Sequence, residues 1–292
     1  MNRKLKKIAL FLNKKKTGWL DKTKTLIGQL ERFDAEILLP AEFSDCFVQK
    51  RNIEFGELDD IFAGSDIVIA VGGDGTFLRA VQYAVRHDVP VLGVNIGNLG
   101  YLSELEFDSV EENIGKIFDE KFDIENRILL DVMVNRQGEE QILRTVLNEC
   151  YITKCNSGNM SHISLSSEDG FIGSYWGDGI IVSTPTGSTA YSLSAGGPVL
   201  DPRADNIVIT PVAAHMLHAR PMVMMTDRTL SLCVNEKSVL SAAVVCDGVE
   251  VAEIRGSDTV EIRRSLKNLK LVRIKNRGFY EILRKKLNER WD

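Results

Sequence analysis

Two hydrophobic rhythms run along this chain, and one gives way to the other near residue 126. Before that point, short continuous apolar runs at Ile8–Leu12, Ala35–Leu39, Ile67–Val71 and Val89–Val94 alternate with stretches of helical spacing. Leu20, Ile27, Leu30 and Phe33 mark one such stretch, and Phe77, Leu78, Val81 and Val85 another. Ser109 and Glu112 read as a capping box ahead of Ile114, Ile117 and Phe118. Continuous apolar strands between helices predict an α/β domain whose parallel, doubly wound sheet is covered on both faces.

From 126 to about 275 the period falls to two: Leu130, Val132, Val134; Leu230, Leu232, Val234; Val260, Ile262. Breaks such as NRQGEE, SSEDG and RGSD separate these runs, so this part reads as a β-rich, mostly antiparallel domain. Helical spacing returns at Phe279, Ile282, Leu283 and Leu287. The expected organisation is therefore 1–125 as the α/β domain, 126–275 as the β-rich domain, and 276–292 as a helix packing back on the first.

Composition narrows the class. Of 292 residues, 44% are hydrophobic and 26% charged, enough for sizeable cores. The net charge of -5 argues against a general nucleic-acid binder but leaves room for a small anionic ligand with local positive charge or a metal. The five cysteines are scattered without a C-x-x-C pair, and the four histidines form no ligand cluster, so no resident metal site is expected and the thiols read as reduced. His215 and His218 read as structural, and Met222, Met224 and Met225 as core filling. The apolar run IALFL near the basic N-terminus is too short for a signal peptide or membrane span, so a cytoplasmic protein without membrane attachment is expected.

The chemistry gathers in four segments. AVGGDGTFLRA, residues 70–80, ends a strand in glycines and opens a helix near Thr76, the arrangement that offers backbone N–H groups to an anion. It is neither a Walker loop, which needs Gly-Lys-Ser/Thr, nor the dinucleotide fingerprint, because position 78 is Leu. A carboxylate at Asp74 opposes anion binding and makes sense as a proton acceptor or metal contact; the plainer alternative is a tight turn with Asp as helix cap. Residues 177–202, GDGIIVSTPTGSTAYSLSAGGPVLDP, crowd small hydroxyls at Thr184, Thr186, Ser188, Thr189, Ser192 and Ser194, suited to ribose and phosphate oxygens. In LNECY, Asn148 and Glu149 form an amide–carboxylate pair at the end of a strand-like run from Ile142, able to clamp a diol or a base edge. NIGNLGYLSE, 95–104, follows another strand and is expected to lie beside the Asp74 loop. The lysine run Lys14–Lys16 follows the first strand, where a phosphate role stands beside simple solvation.

In this order and spacing the segments resemble the NAD kinase family over nearly the whole chain. The glycine loop is shared with lipid kinases and 6-phosphofructokinase; the 177–198 run is far more specific. The resemblance implies transfer of the ATP γ-phosphoryl group to the 2′-hydroxyl of the adenosine ribose of NAD, with Mg²⁺, in a homodimer or homotetramer. It implies Asp74 as proton acceptor, Gly75 and Arg79 as nearby contacts, Asn148 and Glu149 on the adenosine portion, and Asp178 near the nicotinamide end. Thr189, Ala190, Tyr191, Ser192, Leu193 and Ser194 would line the adenine and ribose pocket, with His162 and Trp176 at its edge. The sequence departs from the family pattern at Val249, where relatives often carry Gln, at Ala214 before His215, and at Trp176. Competing readings are a non-catalytic NAD(P)(H) sensor and a lipid or sugar kinase sharing the glycine loop; Asp74 favours catalysis over the first and the Ser/Thr-rich run argues against the second.

Overall fold

The computed structural model describes residues 6–97, 100–136, 139–155, 160–235, 241–274 and 278–288. They divide into two units, Met1–Asn126 with Leu269–Asp292, and Arg127–Asn268.

The first unit is built on five parallel strands, β1 (Lys7–Leu12), β2 (Glu36–Pro40), β3 (Ile53–Gly56), β4 (Ile67–Gly72) and β5 (Val91–Asn95), in the order β3-β2-β1-β4-β5. Every residue of β4 and β5 is buried, which is why these segments are apolar throughout rather than alternating. Three helices join them: α1 (Trp19–Glu31), α2 (Leu58–Ala63) and α3 (Asp74–His87). Strand alternation sorts the side chains of β1. Ile8, Leu10 and Leu12 share a core with Leu26, Ile27 and Leu30 of α1, whereas Phe11 meets Phe62 of α2 and Tyr83 of α3. The sheet is thus covered on both faces, as the alternation of runs predicts. Truncating one of these fully buried leucines would cost about 2–5 kcal/mol.

The chain runs from β1 outward to β2 and β3, then returns to the other side of β1 for β4. This reversal leaves a crevice beyond the carboxyl ends of β1 and β4, the place where open α/β sheets bind ligands. Three local expectations need correction. Strand β3 was not anticipated, because IEFG has four residues and a single buried position. Ser109 forms no capping box; its hydroxyl donates to the Glu106 carbonyl in a 3-10 turn, ahead of two one-turn helices, Val110–Asn113 and Gly115–Phe118. Helix α3 begins at Asp74 rather than near Thr76.

In the second unit, six antiparallel strands run in the order Met222–Met225, Asn206–Val212, Gly179–Ser183, Glu149–Lys154, Ala242–Cys246, Val249–Ile254. Further antiparallel pairs join Ser161–Ser167 to Gly170–Gly177 and to Leu230–Val234, and Asp123–Arg136 to Glu139–Val146. The period-two positions Leu130, Val132, Val134, Leu230, Leu232, Val234, Val260 and Ile262 all enter one core. Met222 and Met224 pack on that core, but Met225 points outward and is 64% exposed, because its strand lies at the sheet edge and alternates. His215 and His218 are exposed.

The strand Thr259–Arg273 pairs with Leu230–Val234 at its start, and near its end Leu271 pairs with Val91. Residues from Leu269 therefore group with the first unit, seven positions earlier than the sequence pattern suggested. The tail helix, Phe279–Asn288, groups there too; 276–277 and 289–292 of that segment lie outside the described residues. Among the described residues no helix is long and apolar enough to cross a membrane.

Candidate functional site

The glycine loop closes β4 and opens α3 at the crevice. Asp74 is the first residue of the fourteen-residue helix, and its carboxylate is held by two backbone donors: Tyr101 N–H to Oδ2 at 3.0 Å and Leu102 N–H to Oδ1 at 3.2 Å. Each oxygen keeps a lone pair for a further donor. The segment 95–104 thus does lie beside the Asp74 loop, and its function there is to fix the carboxylate; Asn98 and Leu99 of that segment lie outside the described residues. Gly100 has to be glycine, because a Cβ there would collide with the Asp74 carboxylate.

The loop glycines divide by cause. A Cβ on Gly72 would strike the Thr76 side chain, so packing explains that one. A Cβ on Gly75 would meet nothing within 4 Å, and one on Gly73 would approach only the end of Lys16. Gly73 sits at φ -126, open to any residue. Neither packing nor backbone conformation demands glycine at 73, so the bare backbone serves close approach of something else. Arg79 lies exposed on α3 with its guanidinium over the Phe11 ring, 5.6 Å from the centroid.

In the second unit, Asn148 and Glu149 stand at a break between strands. The expected run from Ile142 ends at Val146, and Glu149 begins the next strand. What holds this corner is Asp247, a hundred residues away. Its carboxylate accepts the consecutive N–H groups of Leu147, Asn148 and Glu149 at 3.0, 2.8 and 3.2 Å. Asp247 and Gly248, at φ 48 and 77, form the two-residue turn of a hairpin. The sequence pointed to Asp247-Gly248-Val249 only through the departure at Val249 and gave Asp247 no role; the Asp-Gly pair after a buried apolar run was the available signal.

Glu149 is buried, and its Oε2 has no hydrogen-bond partner among the described residues. Burial first, then the charge of Asp247, pushes its carboxyl up to about 8, with the Tyr191 backbone N–H acting the other way. Burial raises Asp247 as well, against the three amides it accepts. At neutral pH Glu149 is therefore largely protonated, a buried acid with one donor and a free oxygen for a ligand.

The run 183–194 differs from expectation in one respect: most of its hydroxyls are spent on bonds within the protein. Thr184 Oγ1 donates to the Leu147 carbonyl and accepts Gly187 N–H; Ser188 bonds the Pro185 carbonyl; Thr189 bonds the Thr186 carbonyl; Ser192 meets Thr210 at 2.8 Å. Thr186 Oγ1 accepts from buried Arg127. All five of these loop residues are buried. The loop is a rigid wall whose exposed side chains are Tyr191 and Ser194, with Ala190 and Leu193 half-buried. Gly187 packs against the Asn148 backbone, so the wall and the Asn148–Glu149 corner form one structure.

Beside this wall is a cleft of about 340 Å³ lined by Tyr151, Thr153, Lys154, Asp178 and Tyr191 among others. Asp178 pairs with Lys154 at 2.5 Å, and the Tyr151 and Tyr191 rings meet edge to face at 5.1 Å. His162 and Trp176 face each other across paired strands and stack at 4.2 Å, with Trp176 42% exposed. The segment before His162, 156–159, lies outside the described residues. Val249 is half exposed in the edge strand beyond the Asp247 turn. Among the described residues no group of three His, Cys, Asp or Glu suits a metal ion.

An α/β unit with a carboxylate fixed among bare glycine backbones at its switch point, and a β unit with a cleft lined by both aromatic and charged side chains, point to a protein class that handles phosphates and nucleotides. Family models make the class specific: the ATP-NAD kinase N-terminal domain matches residues 41–122, and the ATP-NAD kinase C-terminal domain residues 147–274. The chain is 34% identical over 286 residues to an NAD kinase of Ruminiclostridium cellulolyticum, covering 98% of this chain and 99% of that protein. It is 39% identical over 233 residues to an NAD kinase of Magnetococcus marinus, covering 79% of this chain and 76% of that one. Two solved structures share the fold: yeast NADH kinase complexed with NADH (TM-score 0.90, 20% identity, 98% of this chain and 88% of that) and an NAD kinase from Archaeoglobus fulgidus in complex with ATP (TM-score 0.73, 23% identity, 96% and 97%). The chain belongs to the NAD kinase family.

Proposed function

We propose that the protein transfers the γ-phosphoryl group of ATP to the 2′-hydroxyl of the adenosine ribose of NAD, giving NADP and ADP. The observation that carries this is the Asp74 carboxylate, fixed by two amides at the end of β4 with lone pairs to spare. The 2′-oxygen attacks the γ-phosphorus, the bond from phosphorus to the β,γ-bridging oxygen breaks, and the hydroxyl proton passes to Asp74. Such a transfer needs alignment and charge neutralisation more than covalent help from the protein. Magnesium enters with the nucleotide, on its phosphate oxygens, as part of the substrate.

In this reading Gly73 and Gly75 present backbone to phosphate and Arg79 supplies a nearby cation. Asn148 and protonated Glu149 take the adenosine portion, the free Glu149 oxygen gaining its partner there. The wall Thr189–Ser194 supports the adenine and ribose, Asp178 receives the nicotinamide end, and the His162–Trp176 stack borders it. The thiols stay reduced in the cytoplasm, where both substrates occur, and the chain assembles as a homodimer or homotetramer, without nucleic-acid or membrane partners.

Asp74→Asn tests the reading. It preserves shape and removes the base, so kcat should fall by roughly 10²–10⁴-fold while NAD binding, read by calorimetry, persists. Unchanged turnover would remove Asp74 from the role of base.

A further inference from the structure

Three lysines follow β1, and the structure treats them differently. Lys14 is engaged: its ammonium lies 3.0 Å from the Glu42 carboxylate and over the Phe43 ring. Lys16 is not. Its ammonium would stand 3.7 Å from a Cβ on Gly73 and 3.8 Å from one on Gly97, so it hangs over the bare backbone of the glycine loop. No acceptor among the described residues takes it as a hydrogen-bond or ion-pair partner, and the residue is exposed.

The position is built rather than incidental. Asn13, directly after β1, accepts Lys15 N–H with its Oδ1 at 3.0 Å and donates from Nδ2 to Thr76 Oγ1 at 2.9 Å. Lys16 N–H then bonds the Asn13 carbonyl and Trp19 N–H the Lys16 carbonyl, so the turn leads straight into α1. One side chain thereby ties the lysine turn to the first turn of α3. The tie lies between the carboxyl ends of β1 and β4, at the switch point of the sheet.

We infer that Lys16 is the positioning cation for the donor triphosphate, holding the phosphates of ATP over Gly73 for in-line attack. This rests on the proposed reaction, and it adds a residue to it. The need is physical: the protein carries net charge -5 and, in the proposed reaction, places a carboxylate at the reacting centre, so an ammonium beside Gly73 offsets the repulsion between Asp74 and the phosphates. A lysine suits this task as a compact point charge on a flexible stem.

The test compares the full-length protein with Lys16→Met, Lys16→Arg and, as a control, Lys14→Met. Two readouts are taken: steady-state kcat and KM for ATP and for NAD, and calorimetric binding of the magnesium complex of the non-hydrolysable analogue AMP-PNP. Lys16→Met should lower kcat/KM for ATP by about 10²-fold, the scale of one lost electrostatic contact to a transition state. It should weaken analogue binding at least tenfold and leave KM for NAD and the melting temperature near those of the parent. Lys16→Arg should recover part of the loss, and Lys14→Met should match the parent. If Lys16→Met binds the analogue as tightly as the parent, or if the parent does not bind it, the inference is overturned. If the parent forms no NADP yet Lys16→Met still weakens analogue binding, the phosphate role stands and the proposed acceptor is wrong.

Discussion

Gly100 shows how this site depends on a residue that never touches a substrate. Gly100 has no side chain because the Asp74 carboxylate occupies the space a Cβ would take. Gly100→Ala should therefore displace Asp74, the proposed base, and lower kcat by about 10²-fold, the effect of roughly 1 Å of misplacement; the melting temperature and NAD binding serve as controls. Glu149 gives a pH prediction. Its pKa rises from 4.5 to about 8 on folding, so the folded state holds a proton that the unfolded state has released across that interval. Stability tied to this group is therefore full below about 4.5, declines as pH rises to 8, and is flat beyond, with about 1.4 kcal/mol lost per pH unit between the two values. Glu149→Gln cannot release a proton. Its melting temperature should gain on the parent steadily from pH 5 to 8 and then run parallel; a difference that does not change with pH would show that Glu149 ionises normally.

At the scale of elements, the 183–194 run shows where reading by residue type misleads. Seven serines and threonines in twelve positions suggest a ligand-facing surface, yet the hydroxyls of Ser183, Thr184, Ser188, Thr189 and Ser192 bond within the protein. Thr184→Ala should cost about 1–3 kcal/mol of stability, because it strands the Gly187 amide and the Leu147 carbonyl in a buried place; chemical denaturation measures it. The strands of the first unit were legible because buried parallel strands must be apolar at every position. Strand β3 was not, since one buried residue leaves no pattern. The Ser109 capping box failed because the same residue types also serve a 3-10 turn. The glycine loop and the Asn148–Glu149 pair were legible as chemistry. Asp247 was not, since its three amides lie about a hundred positions away and only folding brings them together.

At the scale of the whole molecule, the two units divide the labour the reaction requires. The first carries Asp74, the base of the proposed reaction, with the bare glycine backbone and the lysine turn; the second carries the buried acid Glu149, the rigid wall and the cleft. Family membership fixes the class, and the fixed carboxylate at the switch point argues for catalysis over mere nucleotide sensing. The central claim is that this chain phosphorylates NAD at the expense of ATP. Its most direct test is to incubate the purified protein with ATP, Mg²⁺ and NAD and to detect product with an NADP-specific dehydrogenase, with Asp74→Asn alongside. NADP should form only with both ATP and metal present and should nearly vanish in the variant. No NADP from a protein that still binds NAD would contradict the claim and leave a nucleotide sensor in its place.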